Sequence, residues 1–206
     1  MTEEFFIDGK KVQVYDDVMP SLTLEKWFRF YKSQAAFSYN KIDSNNSDDT
    51  YFLQCQLNFK KSSEIFDIHS WLPDLLKNYN PECTFKHYHA SYINLILSND
   101  QFTAHEDIKI IPKDKFYVGC IWFGNPYEPA NNCGFQFQDR TVEYKFNRMI
   151  LFDGSLWHKP LSPVDDYVRL SYYISFTNAY DYKVNADTAD KQNPWYRKIQ
   201  NNRNKT

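Results

Sequence analysis

Three side chains with metal-binding chemistry stand out in the second half of the sequence. His105 and Asp107 are separated by one residue, and His158 lies some fifty positions further along. Residues i and i+2 of an extended segment point to the same face, so His105 and Asp107 can both reach one ion. A second histidine, brought in by folding, would complete a face of two imidazoles and one carboxylate. Such a face leaves positions of the metal open to other ligands.

A second polar group lies on the segment that follows His158. Arg169 comes eleven positions after His158, and Ser171 two positions later. Alternation puts both on one face of a strand, which Tyr173 and Ser175 continue, while the residues between them are apolar or aromatic. A guanidinium inside a barrel needs an anion, and its planar fork matches a carboxylate. The strand therefore predicts a carboxylate-binding site, with the Ser171 hydroxyl as a further donor.

Together, the His-x-Asp pair, the distant histidine and the Arg-x-Ser strand resemble the Fe(II)/2-oxoglutarate-dependent dioxygenase superfamily, with a prolyl-4-hydroxylase-like branch in outline. A face of two histidines and one carboxylate is diagnostic for non-haem Fe(II) oxygenases, which need open metal positions for O2 and an organic cosubstrate. The resemblance implies that the catalytic metal is Fe(II), bound by His105, Asp107 and His158. It also implies that 2-oxoglutarate is the cosubstrate, held through its far carboxylate by Arg169 and Ser171.

Two further residues are candidate cosubstrate contacts. Asn94 lies on the long extended segment that precedes the His-x-Asp pair, and Tyr117 lies on the next β-rich segment. Both stay open between a contact to 2-oxoglutarate and a contact to the substrate. His87 and His89 also stand two residues apart, but no carboxylate follows them, so they are interpreted as structural or substrate-facing.

The resemblance also bears on the reaction. Halogenating relatives replace the metal carboxylate with a small residue, so Asp107 favours hydroxylation. Prolyl-4-hydroxylase-type members often carry lysine where this chain has Arg169, which weakens a specific prolyl assignment. We expect hydroxylation of an unactivated C–H of a small molecule or amino acid, with succinate and CO2 as coproducts. The alternatives are a peptidyl or protein prolyl hydroxylase and a non-catalytic, cupin-like module that binds a small ligand.

The elements that position these residues change in character along the chain. From Thr84 onward, one long extended run and several short β-runs are separated by turn residues, a pattern typical of a sandwich or barrel. Before it, apolar residues recur at helical spacing over 24–34 and 68–79. The predicted fold is α+β. The family resemblance implies that its core is a double-stranded β-helix (jelly roll) over 84–178, with N-terminal helices over 1–83 packed on one sheet. We expect one domain over 1–180 and a polar tail over 181–206.

Composition excludes several classes of protein. The 206 residues are 42% hydrophobic and 18% aromatic, which argues against disorder. The net charge of −2 gives no reason to expect a nucleic-acid partner. No run approaches the roughly 20 apolar residues of a membrane span, so no membrane association is expected. The N-terminus lacks the layout of a signal peptide, and the protein is expected to be cytoplasmic. The oligomeric state stays open.

Overall fold

The structure is a computed structural model that describes residues 2–33, 37–42, 50–56, 78, 87–98, 100–102, 104–107, 117–123, 133–138, 140–164 and 168–177. The first elements along the chain are β1 (Glu3–Ile7), β2 (Lys10–Tyr15), α1 (Ser21–Ser33), β3 (Ser38–Ile42) and β4 (Thr50–Gln56). They are followed by β5 (His87–Ile96), β6 (Tyr117–Phe123), β7 (Gly134–Phe137), β8 (Arg140–Glu143), β9 (Arg148–Asp153), β10 (His158–Pro160) and β11 (Arg169–Thr177).

Within the described ranges, these strands form two antiparallel sheets. The larger sheet has eight strands in the order β1-β2-β9-β6-β11-β5-β4-β3, and the smaller has three in the order β10-β7-β8. An isolated bridge between His105 and His158 adds the chain around His105 beside β10. Four of the seven neighbouring pairs in the larger sheet join strands that are not consecutive along the chain, as in the predicted jelly roll.

Buried side chains from both sheets form one apolar core. On β1, Phe5 and Ile7 are buried while Phe6 between them is exposed, which is the period of two expected for a strand with one solvated face. The other members of this cluster are Val12, Val14, Phe135, Phe137, Val142, Ile150, Phe152, Leu156 and Tyr173. Each fully buried large side chain contributes about 1.5–3 kcal/mol. The core continues into the functional region, because the ring of His158 lies 4.9 Å from Phe135 and 5.0 Å from Phe152.

The helical support predicted for residues 1–83 is not confirmed. The described part of that segment holds β1 to β4 as well as α1, which closely matches the first predicted helix. β1 and β2 form a hairpin whose turn, Asp8-Gly9, has positive φ at both residues. Because β2 then pairs with β9, the hairpin extends the larger sheet instead of serving only as a lead-in to helices.

Two predictions fall largely outside the described residues. Of the second predicted helix, over 68–79, only Asn78 is described, and it is helical. The predicted tail over 181–206 follows Thr177, where the description ends. No helix in the described part of the chain is long and apolar enough to cross a membrane.

Candidate metal and cosubstrate site

Backbone hydrogen bonds bring the three predicted metal ligands together. The N–H of His105 donates to the carbonyl of His158, and the N–H of His158 donates to the carbonyl of His105, both at 2.9 Å. The N–H of Asp107 donates to the carbonyl of Gly154, also at 2.9 Å, in the turn between β9 and β10. Two segments some fifty residues apart are therefore fixed to each other by the main chain, independently of any ligand.

The side chains of these residues point at one another. Nε2 of His105 lies 3.7 Å from Oδ1 of Asp107, and Nε2 of His158 lies 3.5 Å from Oδ2 of the same carboxylate. One ligand atom from each of the three residues lies within 4.8 Å of the others. Atoms bound to one first-row metal at about 2.1 Å are roughly 3–3.5 Å apart. The cluster is therefore close to the size that a single ion requires.

The imidazole of His158 is oriented by its surroundings. Its Nδ1 lies 2.7 Å from the carbonyl oxygen of Leu156, which can only accept, so Nδ1 carries the proton. Phe135 stacks on the ring at 4.9 Å with an interplanar angle of 25°. Such a hydrogen bond fixes the tautomer of a ligating histidine and leaves Nε2 as the donor to a metal.

The charges of the cluster are coupled. Burial by itself would raise the pKa of Asp107, but His158, His105 and the hydroxyl of Tyr173 together hold that pKa below its usual value. Burial would lower the pKa of His158, but the Asp107 carboxylate outweighs burial and raises it. Asp107 is thus ionised at neutral pH, as a metal ligand must be, and a metal ion competes with a proton for His158.

The predicted carboxylate-binding residues line the same pocket as the three ligands. This pocket has a volume of about 90 Å³, and Arg169, Ser171 and Asn94 all contribute to its wall. Arg169 is 1% exposed and Ser171 is 2% exposed. Burial lowers the pKa of Arg169 from its ordinary value to about 10, with smaller opposing effects of Cys133 and Tyr144. The guanidinium remains charged at neutral pH and is held in a place where an anion would stabilise it.

Strand pairing sets the order of these residues along the pocket. β5 and β11 pair so that Ile96 lies opposite Arg169, Asn94 opposite Ser171 and Tyr92 opposite Tyr173. All six line the pocket, so the odd-numbered residues of β11 share one face, as the alternation predicts. The side-chain amide of Gln54 donates to Oδ1 of Asn94 at 3.2 Å, which leaves the Asn94 NH2 group as the remaining polar end of that side chain.

The side chain of Tyr117 lies outside the described part of the structure. Tyr117 begins β6, next to Thr177 of β11, but the side chains of β6 are not among those that the structure describes. Its role at the cosubstrate therefore stays a prediction, as do the roles assigned to Asn94 and Ser171.

Three groups that contact the predicted metal ligands were not assigned a role from the sequence. They are the hydroxyl of Tyr173, which donates to Oδ2 of Asp107 at 2.9 Å, the carbonyl of Leu156 and the ring of Phe135. For Tyr173 a signal was present, because it shares the face of Arg169 and Ser171. The other two contacts depend on tertiary structure and have no local signature.

The donor set fits Fe(II) on chemical grounds. Two imidazole nitrogens and one carboxylate oxygen from one side of a pocket are the ligands that non-haem Fe(II) oxygenases use. The buried guanidinium of Arg169 in the same pocket fits a carboxylate-containing cosubstrate such as 2-oxoglutarate. These residues are therefore compatible with both groups that the sequence resemblance implies.

Known proteins with a similar architecture were found among solved structures. No family model matches the chain, and no curated protein matches it. Solved structures do. A prolyl hydroxylase from Trichoplax adhaerens, in complex with a peptide fragment of the hypoxia inducible factor oxygen degradation domain, is 15% identical with a TM-score of 0.59, over 80% of this chain and 82% of that one. A Pseudomonas putida prolyl-4-hydroxylase is 12% identical with a TM-score of 0.60, over 82% of this chain and 92% of that one.

A third solved structure widens the group beyond prolyl hydroxylases. An oxidoreductase of the 2OG-Fe(II) oxygenase family from Burkholderia pseudomallei is 9% identical with a TM-score of 0.61, over 81% of this chain and 84% of that one. The chain therefore has the jelly-roll fold of the 2OG-Fe(II) oxygenases. Within that class, its likeness extends to the prolyl hydroxylases. At these identities the likeness establishes the fold, and the chemistry has to be argued from the site.

Proposed function

We propose that the protein is an Fe(II)- and 2-oxoglutarate-dependent oxygenase that hydroxylates an unactivated C–H of a small molecule or amino acid, with succinate and CO2 as coproducts. The observation that carries the proposal is that one pocket contains both the His105-Asp107-His158 cluster and the buried guanidinium of Arg169. When bound, Fe(II) would supply the open positions at which the keto acid and O2 react.

The protein's own residues have separate tasks in this proposal. His105, Asp107 and His158 hold the metal, and the backbone bonds between their segments keep the three donors together before it binds. Arg169 and Ser171 donate hydrogen bonds to the far carboxylate of 2-oxoglutarate, so that its keto acid end faces the ligands. Because the guanidinium is buried, this charge-assisted pair forms away from water and is stronger than a surface pair.

The apolar wall of the pocket supports the same chemistry. The pocket is lined by Phe135, Phe102 and Pro160 as well as by the two histidines. Such side chains limit the access of water to the metal and to a reactive oxidant, which protects against reactions other than attack on the substrate. They offer no charged group of their own, so recognition of the cosubstrate falls to the polar end of the pocket.

A peptide substrate is the second candidate. Prolyl hydroxylases are among the solved structures with this fold, and one is described in complex with a peptide fragment. A peptidyl or protein prolyl hydroxylase would use the same metal and cosubstrate residues and would differ only in the substrate. A non-catalytic, cupin-like module is the third, and it would keep the pocket without turnover.

A succinate-coupled screen separates the three candidates. The purified protein is supplied with Fe(II), 2-oxoglutarate and O2, and then with free amino acids and small metabolites in one arm and proline-containing peptides in the other. Stimulation of succinate release in the first arm supports the proposal, and stimulation only in the second supports the prolyl hydroxylase. A protein that binds 2-oxoglutarate but forms no succinate in any arm is a binding module.

The screen has a matched pair of variants on one short segment. Asp107→Ala removes a predicted ligand and should abolish succinate release. Glu106→Gln removes the carboxylate of the residue between His105 and Asp107, which is outside the ligand set, and should leave succinate release in place. Equal loss in both variants would contradict the assignment of Asp107 as the metal ligand.

A further inference from the structure

Tyr173 makes a contact that the proposed reaction does not use. The residue lies on β11, its side chain is 5% exposed, and its hydroxyl donates to Oδ2 of Asp107 at 2.9 Å. The same oxygen lies 3.5 Å from Nε2 of His158, while Oδ1 of Asp107 lies 3.7 Å from Nε2 of His105. The phenol therefore touches the one carboxylate of the predicted ligand set from the side of the larger sheet.

The ring of Tyr173 is held in place by a second tyrosine. Tyr92 lies directly opposite on β5, and the two rings stack with their centroids 4.7 Å apart and an interplanar angle of 17°. Tyr173 also belongs to the apolar core between the sheets. Strand pairing, ring stacking and core packing thus fix the direction of the hydroxyl before any ligand binds.

Asp107 is consequently held at two points. Its backbone N–H is bonded to Gly154 in the turn before β10, and its carboxylate is bonded to Tyr173 on β11. A carboxylate held only by its backbone can rotate and change which oxygen it offers to a metal. A donor fixed on one oxygen limits that rotation, and hydrogen-bond partners of metal ligands commonly affect metal affinity about 10- to 100-fold.

We infer that Tyr173 is a positioning residue for the metal, whose hydroxyl holds the Asp107 carboxylate in the orientation that completes the site with His105 and His158. The inference deepens the proposed function and rests on its metal site, but it does not depend on the substrate or on hydroxylation. Tyr92 is the residue that aims the hydroxyl, through the stacked rings.

The test compares three variants of the full chain in anaerobic titrations with Mn(II) and Co(II). Tyr173→Phe keeps the ring, its stacking and its packing but removes the donor, so affinity for both metals should fall about 10- to 100-fold. The matched control is Tyr172→Phe, which removes a buried hydroxyl from the adjacent residue on the other face of β11 and should stay within about two-fold of wild type. Tyr92→Leu keeps the hydroxyl of Tyr173 but removes the ring that aims it, and it should give a smaller loss.

A second readout separates positioning from general stability. The visible absorption of the Co(II)-loaded protein should change in Tyr173→Phe at saturating metal and stay unchanged in Tyr172→Phe, while the thermal midpoint of the metal-free protein stays within a few degrees of wild type. Metal affinity within two-fold of wild type in Tyr173→Phe would overturn the inference, and so would failure of that variant to fold. Absence of binding by the wild type would refute the proposed metal site together with the inference.

Discussion

Replacing Arg169 with methionine should make the ligand-free protein more stable. The side chain is 1% exposed, and burial lowers the pKa of its guanidinium from the ordinary value of arginine to about 10. One pKa unit corresponds to about 1.36 kcal/mol, so holding this charge in the pocket costs about 3 kcal/mol. The folded-state pKa lies below the unfolded one, so the whole penalty is present at neutral pH and fades only as the pH rises past about 10. Methionine is of similar length and carries no charge, which removes the penalty.

The expected gain is measurable by urea and thermal unfolding. Because packing is also altered, we expect the free energy of unfolding to rise by about 1–3 kcal/mol and the midpoint by roughly 3–10 °C. Arg148→Met is the matched control, and it is expected to lower the free energy of unfolding instead of raising it. Nε of Arg148 lies 2.7 Å from Oδ1 of Asp16, so the control loses an ion pair and should be less stable than wild type.

Arg169→Met should also bind 2-oxoglutarate much more weakly than wild type. Removing one partner of a buried charge pair costs about 2–5 kcal/mol, so calorimetric titration of the Mn(II)-loaded protein with 2-oxoglutarate should show an affinity at least about 30-fold lower for Arg169→Met. A ligand-free variant less stable than wild type would mean that the guanidinium supports the fold and not a ligand. An unchanged affinity for 2-oxoglutarate would refute the role assigned to Arg169.

Three further predictions concern the fold and the metal. Chiefly through a hydrogen bond from Arg148, the pKa of Asp16 is lowered to about 2, so Asp16→Asn should lose about 1–2 kcal/mol at neutral pH. In urea titrations this difference should shrink as the pH falls from about 4 towards 2; a constant difference would contradict the ion pair. A Cβ on Gly134 would collide with the backbone carbonyl of Val142, so Gly134→Ala should lower the free energy of unfolding by about 2 kcal/mol or more, and a neutral effect would show that the β7–β8 pair shifts easily. Burial lowers the pKa of His158, but Asp107 outweighs burial, so the net pKa is raised from its ordinary value of 6.5. As the pH is lowered, the affinity for Mn(II) should therefore begin to fall before pH 6.5 is reached. An affinity independent of pH between about 5.5 and 8 would argue against His158 as a ligand.

The strands around the site could be predicted because their signals are local. The long extended run predicted from Thr84 onward contains β5, and the alternating strand predicted around Arg169 and Ser171 corresponds to β11. In both, turn residues mark the ends and alternation sets the faces. β3 and β10 were not predicted. Each of them forms by pairing with another strand, β3 with β4 and β10 with β7. Their short sequences do not show this pairing by themselves.

The structure of the N-terminal half was harder to predict, again because strand pairing is not visible in the local sequence. The apolar spacing of α1 is visible in the sequence, but the sequence does not show that β2 pairs with β9 and carries the hairpin into the larger sheet. In the site, residue types and strand parity were enough to choose the His-x-Asp pair and Arg169. The contacts of Tyr173 and Phe135 with those ligands depend on how two sheets pack, which no local pattern specifies.

The most direct test of the central claim is an anaerobic absorption spectrum of the protein with Fe(II) and 2-oxoglutarate. If three donors and Arg169 hold the metal and the keto acid in one pocket, a metal-to-ligand charge-transfer band should appear in the visible region when both are present. The band should be absent with either alone and absent in His158→Ala. A wild-type protein that shows no band with both compounds at saturating concentration would contradict the account.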